Sequence, residues 1–179
     1  MRWAFQLLLL LVTSLCGCSL SHAAEVGFDL GLTAQLDREH DVDIGLPRPG
    51  RQIVRLGLAL SDHDQLEIAP AFAYSSADSF STPRTTIMLG LSYLRGLVGG
   101  GHPSPYARVG VRWRRLSFSE PYSSSASQFG LSGGAGLKWR VGQVFGLRTD
   151  ASVERGFKSS GFRAGWDLVL LGGVSAFTK

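Results

Sequence analysis

The chain has 179 residues, 44% of them hydrophobic and 18% charged, with 23 glycines and a formal net charge of +4. That length leaves one domain once a leader is removed, and the scattered basic residues give no footprint for nucleic acid. Both cysteines, Cys16 and Cys18, fall in the leader, so disulfides, thiol catalysis and cysteine metal sites are excluded from the working domain.

Met1-Arg2 is a short basic start, Leu7 to Val12 is an unbroken apolar run, and Ser21-His22-Ala23-Ala24 is a small-residue ending. Together they read as a secretory signal over residues 1–24, cleaved near Ala23 or Ala24, with the working domain over 25–179. A rival route is lipidation of Cys18, since Leu15-Cys16-Gly17-Cys18 resembles a lipoprotein box. The apolar run is too short to cross a bilayer as a helix, and no later stretch is longer, so insertion must be by strands. Without Arg2, 17 basic residues face 14 acidic ones.

From Val26 the chain alternates strictly, with Val26, Phe28, Leu30, Leu32, Ala34 and Leu36 on one face and Gly27, Asp29, Gly31, Thr33 and Gln35 on the other. Period two predicts a strand with two unlike faces. Seven more follow, over 52–60, 65–74, 85–94, 106–116, 129–140, 145–154 and 162–176. Pro70 interrupts the third, because proline removes a ladder donor. The odd connections (37–51, 75–84, 117–128, 155–161) are long and polar. Of the even ones, 61–64 and 141–144 are tight turns, while 95–105 is longer. Long loops at one end and short turns at the other predict a membrane barrel with both termini in the periplasm.

The non-apolar face carries Asp29, Arg55, Glu67, Arg108, Arg112, Arg148, Asp150 and Asp167 at mid-strand. A soluble ligand-binding barrel would turn these toward water. A membrane barrel of eight strands would pack them in its narrow interior as a charge network that fixes register and blocks the pore. Aromatics decide between the two. Phe28, Tyr93, Trp139 and Phe145 fall at periplasmic strand ends, and Tyr74, Trp113, Phe129 and Phe162 at outer ends, the two girdles of a membrane interface.

Pro105-Tyr106-Ala107-Arg108-Val109-Gly110-Val111 is similar to the Pro-Tyr that opens a glycine-alternating strand in the small outer-membrane β-barrels of OmpA and OmpX type. The pattern of the whole working domain resembles that family. Arg108 and Arg112 stand where such strands often carry small residues, and the family's terminal aromatic is represented by Phe177, followed by Thr178 and Lys179. The resemblance implies an all-β, eight-stranded antiparallel up-and-down transmembrane β-barrel in the cell outer membrane, delivered by the barrel-insertion machinery.

Catalysis finds little support. A lipid A deacylase needs a histidine beside a serine and a carboxylate on the lipid-facing outer half. Here His40 is in the first long loop and His63 and His102 are in periplasmic connections, and the charged interior gives no acyl pocket. The acidic stretch Asp37 to Asp43 matches no calcium loop and reads as solvated, so no metal or cofactor is expected. Ser123-Ser124-Ser125 reads as flexible loop. Arg115, with Arg84 and Lys158 as weaker candidates, would meet lipopolysaccharide phosphates at the outer rim, or simply snorkel there. The reading is a non-enzymatic barrel with a largely plugged lumen, serving envelope stability or a surface partner held by the long loops. The alternatives are a small ion-conducting channel and a lipid A-modifying enzyme.

Overall fold

A computed structural model describes residues 24–36, 42–45, 54–75, 84–97, 103–118 and 124–178. Residues 1–23, with Cys16 and Cys18, together with His40, His102 and Ser123, lie outside these residues. Among them are nine strands: β1 (Ala24–Leu36), β2 (Val42–Gly45), β3 (Val54–Ala59), β4 (Asp64–Ser75), β5 (Arg84–Gly96), β6 (Ser104–Phe118), β7 (Ser124–Val141), β8 (Phe145–Gly156) and β9 (Gly165–Phe177). Eight of them form the barrel. From β3 onward each pairs antiparallel with the next, β1 pairs with β3, and β1 pairs with β9 to close the ring.

The ninth strand corrects the sequence reading of the first long loop. β2 folds back on the outer end of β1, with Thr33 opposite Gly45 and Leu36 opposite Val42. Four residues are too few for alternation to announce a strand. Two other boundaries also move. The β6–β7 hairpin extends to Phe118 opposite Ser124, so Ser124 and Ser125 are strand rather than loop. The last strand begins at Gly165 instead of Phe162, which sits in an isolated bridge with Ser159.

The ladders are not equal in length. β6 and β7 stay paired from Ser104 opposite Lys138 up to Phe118 opposite Ser124, whereas the β3–β4 ladder ends at Leu56 opposite Ile68. Two residues further along β4 stands Pro70. The ladder with β5 runs straight past it, opposite Leu89, so the missing amide falls where only one neighbour is kept.

Alternation sorts the two faces without exception along β8, where each exposed residue is followed by a buried or half-buried one. The exposed face is apolar: Leu30, Leu32, Phe72, Leu89, Val109, Val111, Leu131, Leu147, Leu170 and Val174 all point outward. The buried face is largely polar, with Glu25, Asp29, Arg55, Glu67, Arg108, Arg148, Asp150 and Glu154 among its members. A soluble protein has the opposite arrangement, since apolar burial is what drives its folding. In hydrocarbon the greasy surface costs nothing, and a closed ring leaves no backbone group unpaired at an edge. The interior is not purely polar, however. Met88, Leu94, Leu116, Val169 and Leu171 also point inward and are buried.

Candidate functional site

Strand parity aims the lumen side chains, and the register brings residues distant in sequence to one level. Arg55 of β3 is the hub of the periplasmic half. Its guanidinium donates to Asp29 Oδ2 at 2.8 Å, to Ser175 Oγ at 2.7 Å and to Glu25, and its Nη1 lies 3.8 Å from Glu67. Arg148 of β8 is the second hub. It donates to Glu67, to Asp150 Oδ2 at 3.1 Å and to the Tyr106 hydroxyl oxygen at 2.6 Å. Tyr106 in turn donates to Asp150 Oδ2 at 2.7 Å, and the Arg148 guanidinium lies 5.0 Å from the centre of the Tyr106 ring.

The chain of contacts continues at both ends. Arg108 reaches Asp150 Oδ1 at 3.3 Å and Ser92 Oγ at 2.9 Å. Lys138 donates to Glu25 Oε2 at 2.6 Å and to Gln65. The sign of charge therefore alternates along Lys138, Glu25, Arg55, Glu67, Arg148, Asp150 and Arg108, across the full width of the lumen. Arg55, Glu67 and Arg148 are each only 2% exposed. Charges so far from water persist only when paired and hydrogen-bonded, and here each carboxylate in the chain touches at least one cation.

Glycine makes the space. A Cβ at Gly27 would land on the Arg55 guanidinium, and one at Gly173 on the Asp29 carboxylate. Bulky cations and glycines on one face are thus two halves of the same packing solution.

A separate cluster occupies the outer half. Arg112 pairs with Glu154 and lies 3.7 Å from Asp167, while Arg114 donates to Gln128 Oε1 at 2.6 Å and stacks 4.2 Å from the Phe162 ring centre. Gln128 then donates to the carbonyls of Phe157 and Arg163, both at 3.0 Å. Phe162 therefore covers the lumen mouth, which corrects its expected place in the outer girdle; Trp166, exposed on the lipid face, stands at the outer end of β9 instead. Between the two clusters is a void of about 20 Å³ lined in part by Met88, Ser92, Arg108, Arg112 and Ser132. That is room for about one water molecule.

The structure thus brings Asp29, Arg55, Glu67, Arg108, Arg148 and Asp150 into one network and sets Arg112 and Asp167 in the other. Six members of the first network are not among the lumen charges expected from sequence: Glu25, Gln65, Ser92, Tyr106, Lys138 and Ser175. Parity could have found them, since Glu25 is in phase with Asp29, and Tyr106 with Arg108. At the outer rim, Arg115 is exposed on the lipid side between Ile87 and Ser127, and Lys158 is exposed in the β8–β9 connection. Arg84 opens β5 opposite Phe118, with its side chain outside the described residues. Arg155, expected in the connection 155–161, belongs to β8 and stacks 4.8 Å from the Trp166 ring centre on the lipid face.

Solved structures share this architecture. Neisserial surface protein A aligns with a TM-score of 0.63 at 16% identity, covering 86% of this chain and 97% of that one. Ail, the attachment invasion locus protein of Yersinia pestis, in complex with the heparin analogue sucrose octasulfate, aligns at 0.59 and 15%, covering 88% and 99%. This chain has the fold of the small outer-membrane β-barrels. The N-terminal barrel domain of Pseudomonas aeruginosa OprF aligns at 0.53 and 15%, covering 87% and 97%. No family model matches the sequence, and no curated protein matches it. A closed barrel of this fold, with an apolar outer belt and a polar interior, belongs in the outer membrane.

Proposed function

We propose that the protein is a non-catalytic outer-membrane barrel whose lumen is closed by its own charge network, acting in envelope stability or through its outer loops on a surface partner. The observation that carries this reading is the unbroken alternation of charge from Lys138 to Arg108 across the lumen. A pore needs a continuous aqueous path, and these side chains spend their hydrogen-bonding groups on one another. The absence of a strand-borne histidine–serine pair among the described residues favours a non-catalytic role, since His63 lies in the turn before β4. The outward cations Arg115, Arg155 and Lys158 suit lipopolysaccharide phosphates at the outer rim. Ail, whose name records attachment and whose structure holds a heparin analogue, supports a surface role by analogy of fold.

Planar-bilayer recording tests the closed lumen. The refolded protein should leave the bilayer silent, and regular conductance steps would favour the channel instead. Mass spectrometry of lipid A from cells with and without the protein should show identical species; a lost or added acyl chain would favour the enzyme.

A further inference from the structure

The lipid-facing surface carries a feature that the lumen does not explain. On β4 to β7 the outward side chains of Leu66, Leu91, Tyr93, Val109, Val111 and Leu131 border a groove of about 490 Å³, floored by the backbone of Gly110 and its neighbours. The groove is almost wholly apolar and lies in the hydrocarbon belt. Its periplasmic end is not apolar. There the Tyr93 hydroxyl donates to Asp64 Oδ1, Ser61 Oγ donates to Asp64 Oδ2 at 2.8 Å, and Arg95 Nη1 stands 3.7 Å from Asp64 Oδ1.

The three groups come together because register demands it. Asp64 is opposite Arg95, and Tyr93 is the next outward residue of β5 toward the membrane centre. Asp64 is held in place by Ser61 and Tyr93, whereas Arg95, which also bonds Tyr93, is 66% exposed. An acidic and a basic group thus stand side by side at headgroup height. The outward cations of the opposite rim, Arg115 and Arg155, stand beside Ser127 and Trp166 rather than a carboxylate.

We infer that this groove and its polar end form a binding site for one glycerophospholipid of the periplasmic leaflet whose headgroup carries both a phosphate and an ammonium. An acyl chain lies along Leu91, Val109 and Val111, the phosphate meets Arg95, and the ammonium meets Asp64. The mixed charge chooses this occupant. A purely anionic headgroup would meet Arg95 but be repelled by Asp64, and a groove serving acyl chains alone has no use for either charge. The inference rests on the membrane embedding and is independent of the closed lumen proposed above, so a conductance result leaves it untouched.

The test uses the refolded full-length mature chain in bilayers of equal phosphatidylethanolamine and phosphatidylglycerol. After mild detergent extraction, the retained lipid is read by native mass spectrometry, and each variant is first shown to be folded by its heat-dependent gel shift. The unmodified protein should retain phosphatidylethanolamine over phosphatidylglycerol by about threefold, the scale of a partly exposed ion pair. Asp64→Asn should bring the ratio to parity, Asp64→Glu should restore the preference, and Arg95→Gln should lower retention of both lipids. Equal retention of the two lipids by the unmodified protein, or a preference that survives Asp64→Asn, would overturn the inference.

Discussion

The two charge clusters inside the barrel are built from the same residue types, yet they are different objects. The periplasmic cluster is continuous, is deeply buried at its two hubs and draws on all eight barrel strands, with Arg55 and Arg148 each contacting three other side chains through charge-assisted bonds. The outer cluster is smaller and closer to water, its Arg112 and Asp167 side chains being 12% and 13% exposed. It leans on backbone carbonyls of the β8–β9 connection through Gln128. One network cross-links the wall of the barrel; the other ties a loop to its rim. Burial turns the same chemistry from an anchor into a clasp, because removing one member of a buried network strands its partners without water.

The largest expected effect follows from Arg55. Arg55→Ala leaves Glu25, Asp29 and Glu67 facing one another, and its loss should cost about 3–5 kcal/mol of folding free energy. Urea unfolding from lipid vesicles, followed by tryptophan fluorescence, measures it. Tyr106→Phe comes next. It removes the hydroxyl that accepts from Arg148 and donates to Asp150, for a cost of about 1–3 kcal/mol by the same assay. Arg112→Ala should cost less than Arg55→Ala, about 1 kcal/mol, since its carboxylates are within reach of water once the arginine is gone. Gln128→Ala, which frees the carbonyls of Phe157 and Arg163, should instead speed proteolysis in the β8–β9 connection. Equal costs for Arg55→Ala and Arg112→Ala would erase the distinction between the two clusters.

Much of this was legible in the sequence because period two is a local signal. Each strand declares its two faces by itself, so the barrel and the inward charges Asp29, Arg55 and Asp150 could be read without knowing any partner. What could not be read were the pairings. Ser175 bonds Glu25 across 150 residues, and Lys138 reaches Glu25 across 113. Such contacts depend on ring closure between β1 and β9, which no window of sequence contains. Tyr106 was hidden by its type, since an aromatic at a strand end is expected in the girdle. Its phase with Arg108 turns it inward, where its hydroxyl finds partners. Phe162 was misplaced for a complementary reason: it lies beyond the strand, where parity no longer applies. The β2 hairpin arm was too short to register at all.

Odd and even positions of each strand live in different media, lipid outside and a packed polar lumen inside. Residues 25–179 contain no cysteine, so in that stretch of chain single cysteines placed one at a time from Phe129 to Leu137 in β7 report each site cleanly. Each would carry a polarity-sensitive fluorophore in vesicles containing brominated lipid. Positions 129, 131, 133, 135 and 137 should show blue-shifted emission quenched by the lipid, and 130, 132, 134 and 136 should not. Quenching at the even positions, or none at either set, would contradict the account.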